Sequence, residues 1–232
     1  MIGFYNYTML LTYLSLISAS TGIVVSLSGA GHPFIGMFFL LFSGLCDAFD
    51  GKVARMKKDR SKTECAFGIQ IDSLSDLVAF GVLPTCIGAA LVARSVVFNF
   101  GTEGWGLVFA IVCYAIMALY VLAGMIRLAY FNVTEEERQN TEGGARKYYL
   151  GLPITSAAVI FPFILLIQYI FGKFYDIDLT FLYFAIMLVT AIAFITKFQL
   201  KKPGMKAILL MVAVGIVEAA IMVVALLITV GK

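Results

Sequence analysis

The feature that most limits the fold of this chain is a series of seven apolar stretches, each about as long as a helix that crosses a bilayer. A hydrocarbon core of ~30 Å needs about 20 helical residues. Of the 232 residues, 61% are hydrophobic and only 13% are charged, which excludes an ordinary soluble domain. The sequence therefore predicts an all-α, polytopic transmembrane helical bundle. Its predicted spans are residues 8–29, 34–55, 68–93, 105–131, 150–172, 179–198 and 205–230.

The basic residues predict how this bundle is oriented. Most of the 17 Lys and Arg residues fall in three alternate connections, around residues 52–62, 127–147 and 197–206. Cytoplasmic loops carry such an excess, so we expect these connections and the N-terminus to be cytoplasmic. The acidic run within residues 134–147 is predicted to be a solvated loop, and Arg146 and Lys147 to mark the cytoplasmic edge.

Four aspartates lie beside the first of these basic connections. Asp47 and Asp50 are three residues apart near the end of the second span, and Asp72 and Asp76 are four apart at the start of the third. Each pair shares a helix face, and antiparallel neighbouring spans would bring the two faces to a similar depth. We therefore expect the four carboxylates to converge.

Carboxylates at this position are costly, and ionisable groups near the bilayer interior are usually functional. Ligation by oxygen alone, without His or Cys, favours Mg²⁺ or Mn²⁺ over zinc. Such an ion commonly completes its shell with substrate phosphates, and Arg55 lies one turn beyond Gly51 where it could bind the same anion. The alternative is that the aspartates only pair with neighbouring cations such as Lys52, Arg55 and Lys58.

The segment from Asp47 to Asp76 reads D-x2-D-G-x2-A-R followed by G-x3-D-x3-D, with Ala54 and Gly68 completing the pattern. This resembles the signature of the CDP-alcohol phosphatidyltransferase family. Twelve residues separate Arg55 from Gly68, a longer gap than in many members. We expect this insertion to lengthen a cytoplasmic turn without shifting either pair of aspartates.

Three further stretches resemble the branch of that family that uses serine, the CDP-diacylglycerol serine O-phosphatidyltransferases. They are "DSLSDLVAFGVLP", "RLAYFNV" and "YYLGLPITSAA". The resemblance covers residues 9–198 and implies a usually dimeric six-helix core with a cytosol-facing cavity. Residues 1–198 are thus expected to form the transferase domain, and residues 199–232 an additional C-terminal helix.

The resemblance also implies roles for individual residues. Asp47, Asp50, Asp72 and Asp76 would bind metal, with Asp76 also acting as the base. Gly51, Ala54, Arg55 and Gly68 would line the site of the cytidine diphosphate, and Thr12 and Ser15 align more loosely with nucleotide-contacting positions. The hydroxyls of Thr12 and Ser15 could equally bond to their own helix backbone.

The acceptor is expected to be L-serine, whose carboxylate needs a cation near the metal. Arg127 is the basic residue near the inner end of the fourth span, and Asn132 follows it closely. We predict that both bind serine, although Arg127 could instead anchor the helix at the lipid interface. The alternative acceptors, glycerol 3-phosphate and inositol phosphate, should demand a denser basic cluster. A cation transporter would distribute its carboxylates toward the bilayer midplane.

The remaining polar and sulfur-containing residues carry weaker signals. Glu218 lies near the middle of the last span and is expected to serve a dimer contact or helix packing. Cys46, Cys65, Cys86 and Cys113 lack metal-binding spacing and are predicted to be small apolar residues.

Overall fold

The computed structural model describes residues 3–28, 32–95, 105–141 and 148–230, and within them the chain is a bundle of helices. The helices are α1 (Leu10–Leu27), α2 (Pro33–Met56), α3 (Lys62–Asp76), α4 (Leu83–Arg94), α5 (Trp105–Thr141), α6 (Ala157–Phe174), α7 (Thr180–Ile195) and α8 (Met205–Val230). Short 3₁₀ turns at Tyr7–Met9 and Ile154–Ser156 precede α1 and α6, and a π-helical segment, Leu77–Val82, joins α3 to α4. The predicted all-α class is confirmed.

Six helical stretches among the described residues are long and apolar enough to cross a membrane, and α3, the π-helical segment and α4 together form one of them. The sixth predicted span, residues 179–198, extends beyond the C-terminal end of the helix that the structure has. Here α7 has 16 residues, a rise of about 24 Å. The chain leaves the helix at Thr196 because the following residues pair as a strand.

Helices α1 and α2 pack closely because small residues lie between them. A Cβ added at Gly22 would lie 2.7 Å from the Phe39 Cβ, so the backbones could not approach as they do with a larger residue. The Ser43 hydroxyl donates to the Ser15 carbonyl at 3.0 Å, and the Ser15 hydroxyl donates to the Ser43 carbonyl at 3.5 Å. This contact fixes the register of α2, which carries two of the aspartates, against α1.

Helix α3 begins six residues before the predicted third span. Ser61 caps it, because the Ser61 hydroxyl accepts a hydrogen bond from the Glu64 backbone N–H at 3.0 Å. The insertion is therefore taken up partly as an extra helical turn on α3, and only residues 57–61 form the connection from α2.

The π-helical segment lies just before Pro84, which has no N–H to donate to the carbonyl of Phe80. Two buried tyrosines satisfy carbonyls here. The Tyr120 hydroxyl donates to the Phe80 carbonyl, and the Tyr183 hydroxyl donates to the Pro84 carbonyl, each at 2.7 Å. Helices α5 and α7 thus hold the distorted helix in place directly after Asp76.

Helix α5 continues to Thr141, so the prediction of a loop at residues 134–147 is wrong for residues 134–141. Arg138 pairs with Glu135 at 2.6 Å, three residues earlier, and the Thr134 hydroxyl donates to the Tyr130 carbonyl at 2.8 Å. Glu, Arg and Gln are good helix formers, and these local bonds extend the helix beyond the apolar stretch. Arg146 and Lys147 lie outside the described residues.

Two short strands, β1 (Tyr148–Leu150) and β2 (Gln199–Lys201), pair antiparallel, with Tyr149 opposite Leu200. The sequence did not predict them. Gly151 follows β1 with φ +75°, and its N–H donates to the Phe198 carbonyl at 2.7 Å. A Cβ there would lie 2.9 Å from the Thr196 carbonyl oxygen, so both the backbone angle and the space require glycine. The strands tie the start of α6 to the end of α7.

Helix α8 packs against α6 and α2, and most of its surface is exposed. Glu218 lies on its buried face, 4% exposed, and neither carboxylate oxygen has a hydrogen-bond partner among the described residues. Burial within the chain favours helix packing over a dimer contact for Glu218. The four cysteines are free.

Candidate active site

The aspartates lie at the facing ends of α2 and α3. Asp47, Asp50 and Asp72 each offer a carboxylate oxygen, and these three oxygens lie within 4.8 Å of one another. The helical spacing orients the side chains, while the short connection between α2 and α3 brings the two helix ends together. Asp50 is 9% exposed, whereas Asp47 and Asp72 are partly exposed.

The donor set fits a hard divalent cation. Opposite oxygen ligands of one Mg²⁺ are separated by roughly 4 Å, twice the metal–oxygen distance of about 2.0–2.1 Å. The three carboxylate oxygens lie no more than 4.8 Å from one another, which is compatible with ligation of a single ion. Among the described residues, neither His nor Cys belongs to the group, which favours Mg²⁺ or Mn²⁺ over zinc.

Asp76 is the last residue of α3 and immediately precedes the π-helical segment. It is 8% exposed and lies outside the three-carboxylate group, yet it interacts electrostatically with Asp47, Asp72 and Asp50. π-Helical distortions often occur at functional sites, where they change the direction in which side chains point. Asp76 is therefore beside the candidate metal site rather than inside the most compact set of ligands.

Helix α1 completes one wall of the site. The Thr12 hydroxyl lies 3.4 Å from Asp50 Oδ2, and the Ser75 hydroxyl donates to the Thr12 carbonyl at 3.2 Å. Thr12 thus contacts the acidic cluster, whereas Ser15 bonds to Ser43 on α2. Both hydroxyls bond to groups on α2 instead of to their own helix backbone, so that alternative is wrong.

The alternative of simple pairing with neighbouring cations also finds no support. Within residues 3–28, 32–95, 105–141 and 148–230, none of the four aspartates has a Lys or Arg nitrogen within 4.0 Å. Lys52 points elsewhere, with its Nζ 2.7 Å from Met205 Sδ and 5.1 Å from the Phe49 ring. The carboxylates therefore lie close together, and no Lys or Arg nitrogen of the described residues is at contact distance to neutralise their charge.

The two glycines and the arginine of the motif lie nearer to the connected ends of α2 and α3 than the aspartates do. Arg55 is exposed and folds back over Gly51, since a Cβ at Gly51 would lie 3.5 Å from Arg55 Nη1. Arg55 also interacts electrostatically with Asp50. On α3, Gly68 faces the Arg60 guanidinium, because a Cβ there would lie 2.7 Å from Arg60 Nη2.

The two residues predicted to bind serine make different contacts. Asn132 reaches α3, where its Nδ2 donates to the Ser73 hydroxyl at 2.8 Å, beside Asp72. Arg127 is 6% exposed, and its Nε donates to the Leu152 carbonyl at 3.0 Å while its guanidinium lies 5.5 Å from the Phe131 ring. Arg127 also lines a cavity of about 100 Å³ between α5 and α7.

Sequence reasoning missed residues that support the site from a distance. In the sequence, Tyr120 and Tyr183 resemble ordinary aromatic residues of apolar spans. The only local signal for their role was Pro84, which lies within the third predicted span. In the sequence, Arg60 resembles the other basic residues of the connection between α2 and α3. Its burial could not be deduced from its charged neighbours.

Comparison with known proteins gives concordant results. The model of the CDP-alcohol phosphatidyltransferase family matches residues 5–231. A CDP-diacylglycerol–serine O-phosphatidyltransferase of Helicobacter pylori is 36% identical over 132 residues, 56% of this chain and 46% of that protein. One of Saccharomyces cerevisiae is 33% identical over 137 residues, 58% of this chain and 43% of that protein.

An archaetidylserine synthase of Methanothermobacter thermautotrophicus is 34% identical over 149 residues, covering 63% of this chain and 53% of that protein. The chain spans about half the length of these curated relatives. No solved structure matches.

Proposed function

This chain belongs to the CDP-alcohol phosphatidyltransferase family, and we propose that it transfers the phosphatidyl group of CDP-diacylglycerol to the hydroxyl of L-serine, giving phosphatidylserine and CMP. The observation that carries this proposal is the convergence of Asp47, Asp50 and Asp72, whose oxygens lie within 4.8 Å at two adjoining helix ends. The names of the similar proteins support serine as the acceptor.

In this proposal Asp47, Asp50 and Asp72 hold Mg²⁺ or Mn²⁺, and Asp76 contributes to the same acidic site. A bound divalent ion would neutralise charge on the diphosphate. The chain's own part is positioning and charge. Arg55, exposed above Gly51, binds a phosphate oxygen, and the absence of a side chain at Gly51 leaves the surface of α2 beside Arg55 open to the nucleotide, while Gly68 lies beneath the Arg60 guanidinium on α3.

Asp76 acts as the base. The serine hydroxyl oxygen forms a bond to the lipid-linked phosphorus, the bond from that phosphorus to the CMP oxygen breaks, and the hydroxyl proton passes to the Asp76 carboxylate. An aspartate with an ordinary pKa near 3.9 is a weak base for an alcohol, so the proton is taken late, as the new bond forms. The position of Asp76 outside the three-carboxylate group supports this separate role.

Asn132 and Arg127 provide the serine pocket. Asn132 contacts Ser73, one residue from Asp72, so a ligand at the metal site is within its reach. Arg127 supplies the cation for the serine carboxylate from the cavity between α5 and α7. Thr12 and Ser15 complete the nucleotide side, with Thr12 contacting Asp50 directly.

We infer further that the enzyme is an integral protein of the cell membrane, with its N-terminus and site facing the cytoplasm, and that it forms a homodimer. The basic residues around the α2–α3 connection support this orientation, because they lie at the same helix ends as the aspartates. Residues 1–198 form the transferase domain, and residues 199–232 add the C-terminal helix.

The test is an assay of purified protein with CDP-diacylglycerol and each labelled acceptor: serine, glycerol 3-phosphate or inositol phosphate. We expect serine-dependent CMP release that stops when a chelator removes divalent metal and returns with Mg²⁺ or Mn²⁺. Release that depends on a phosphorylated acceptor instead would assign a sister activity. The archaetidyl analogue of the lipid substrate, suggested by one similar protein, tests which lipid backbone is preferred.

A further inference from the structure

Arg60 occupies an unusual place for a residue of a basic loop. It lies in the insertion between Arg55 and Gly68, yet its side chain is only 14% exposed. Its guanidinium lies between the two helices that carry the aspartates, with Nη1 3.5 Å from the Ala54 carbonyl on α2 and Nη2 3.4 Å from the Glu64 carbonyl on α3. It also covers Gly68, where an added Cβ would lie 2.7 Å from Nη2.

This location is directly adjacent to the carboxylate cluster. Ala54 follows Asp50 by four residues, and Gly68 precedes Asp72 by four. One helical turn of four residues rises about 6 Å, so the Arg60 guanidinium lies about one turn from the candidate metal site on both helices. Ala54 and Gly68, like Gly51, are positions where the motif has a small residue.

The hydrogen-bonding groups of Arg60 are poorly satisfied. A guanidinium has five N–H donors, but the two bonds to carbonyls are long, and Nε is buried with no hydrogen-bond partner among the described residues. The nearest carboxylate, Glu64, is 3.8 Å from Nε. Glu64 is already bonded more closely by Lys57 at 2.9 Å and by Asn6 at 2.6 Å. Leaving buried donors unpaired is unfavourable, so this side chain is arranged for an anion.

We propose that Arg60 is a second anion-binding arginine of the site, which binds the diphosphate of the nucleotide-activated lipid from the α3 side while Arg55 binds from the α2 side. The inference rests on the proposed function and adds a positioning residue to it. A planar guanidinium can hold two phosphate oxygens at once, which neither the exposed Lys58 nor Lys57, paired with Glu64, is placed to do. Binding would replace the long contacts to backbone carbonyls with charge-assisted bonds.

The experiment measures the affinity for CDP by calorimetry with Mn²⁺ present, and KM and kcat for CDP-diacylglycerol, in full-length wild-type protein and variants. Arg60→Ala should raise the dissociation constant for CDP and the KM for CDP-diacylglycerol about 10-fold, with kcat changed less than about threefold. Arg60→Lys should recover part of the loss. Lys58→Ala, which removes an exposed cation of the same connection, should behave as wild type.

Glu64→Gln distinguishes an effect on CDP binding from an effect on the structure of the α2–α3 connection. It weakens the contacts of Lys57 and Asn6 with residue 64 but keeps the Arg60 guanidinium. It should lower thermal stability and leave the CDP dissociation constant within about twofold. The inference is overturned if Arg60→Ala binds CDP as well as wild type or more tightly, or if Glu64→Gln weakens CDP binding equally. Wild-type protein that binds CDP and releases CMP preserves the proposed function in those cases, whereas wild-type protein that does neither overturns both.

Discussion

The Tyr120 hydroxyl on α5 donates a hydrogen bond of 2.7 Å to the carbonyl of Phe80 in the π-helical segment. Pro84 cannot supply the helical donor for that carbonyl, and both Tyr120 and Phe80 are fully buried. The bond therefore connects α5 to the distorted turn that follows Asp76. The geometry around the predicted base depends on a helix that is distant in sequence.

Tyr120→Phe should lower the free energy of unfolding by about 1 kcal/mol, since it removes a buried hydrogen bond without changing the shape of the ring. Thermal unfolding of the detergent-solubilised protein measures this loss. Tyr114→Phe is the matched control, because Tyr114 lies on the same helix but is 59% exposed. Equal stability of the two variants would contradict a structural role for the Tyr120 hydroxyl.

Asp72→Asn and Asp76→Asn should have different effects on metal binding. Asp72 belongs to the compact set of three carboxylates, so its substitution should weaken Mn²⁺ binding and CMP release by roughly 100-fold or more. Asp76→Asn should abolish turnover while nucleotide binding is largely kept. Paramagnetic resonance of bound Mn²⁺ and calorimetry with CDP measure the two properties, and near-normal activity of Asp76→Asn would remove Asp76 from the role of base.

Arg127→Ala should raise the KM for serine far more than the KM for CDP-diacylglycerol. Loss of the bond to the Leu152 carbonyl should also lower stability, so unfolding is measured beside the kinetics. Arg127→Lys keeps a cation and should retain part of the serine affinity. If both KM values rise equally, Arg127 only supports the packing of α5 against residues 148–153.

Glu218→Leu should stabilise the protein by about 1–3 kcal/mol, because both carboxylate oxygens are buried without hydrogen-bond partners among the described residues. Glu218→Gln retains polar atoms at the same place and should gain less. A shift in thermal unfolding temperature measures the difference. A large destabilisation by Glu218→Leu would show that the carboxyl group has an essential partner, such as a bound cation.

Asp178, in the connection between α6 and α7, should make the free energy of unfolding depend on pH in the acidic range. Burial raises its pKa, but hydrogen bonds from Ser95, Thr180 and Gln168 outweigh burial and hold the pKa of Asp178 below its ordinary value. Because the folded pKa is depressed, the stabilisation is complete above the unfolded pKa of about 3.9 and is lost as pH falls through the folded value.

Asp178→Asn should therefore lower the unfolding temperature at pH 7, and the difference from wild type should shrink below about pH 4. The Asp176→Asn control changes an exposed aspartate two residues away, at a backbone angle of φ 57° that asparagine tolerates. A difference between wild type and Asp178→Asn that is constant with pH would contradict the ionised hydrogen-bonded state.

The sequence by itself determined the helices and the helix faces that the aspartates share. Apolar stretches of sufficient length can only be buried helices in a bilayer, and the three- and four-residue spacings place Asp47 with Asp50 and Asp72 with Asp76 on single faces. Both conclusions depend on local periodicity, which a short window of sequence contains. The argument from apolar residues failed at residues 134–141, where side-chain pairs extend α5 beyond the end of the apolar stretch.

Tertiary structure decided how those faces meet and what surrounds them. The spacing could not indicate that Tyr120 would hold the turn after Asp76, that Asn132 would bond to Ser73, or that Arg60 would lie over Gly68 rather than in solvent. Each contact joins residues whose proximity depends on close packing between helices. Such packing is set by the fit of many side chains at once, and no single stretch of sequence specifies it.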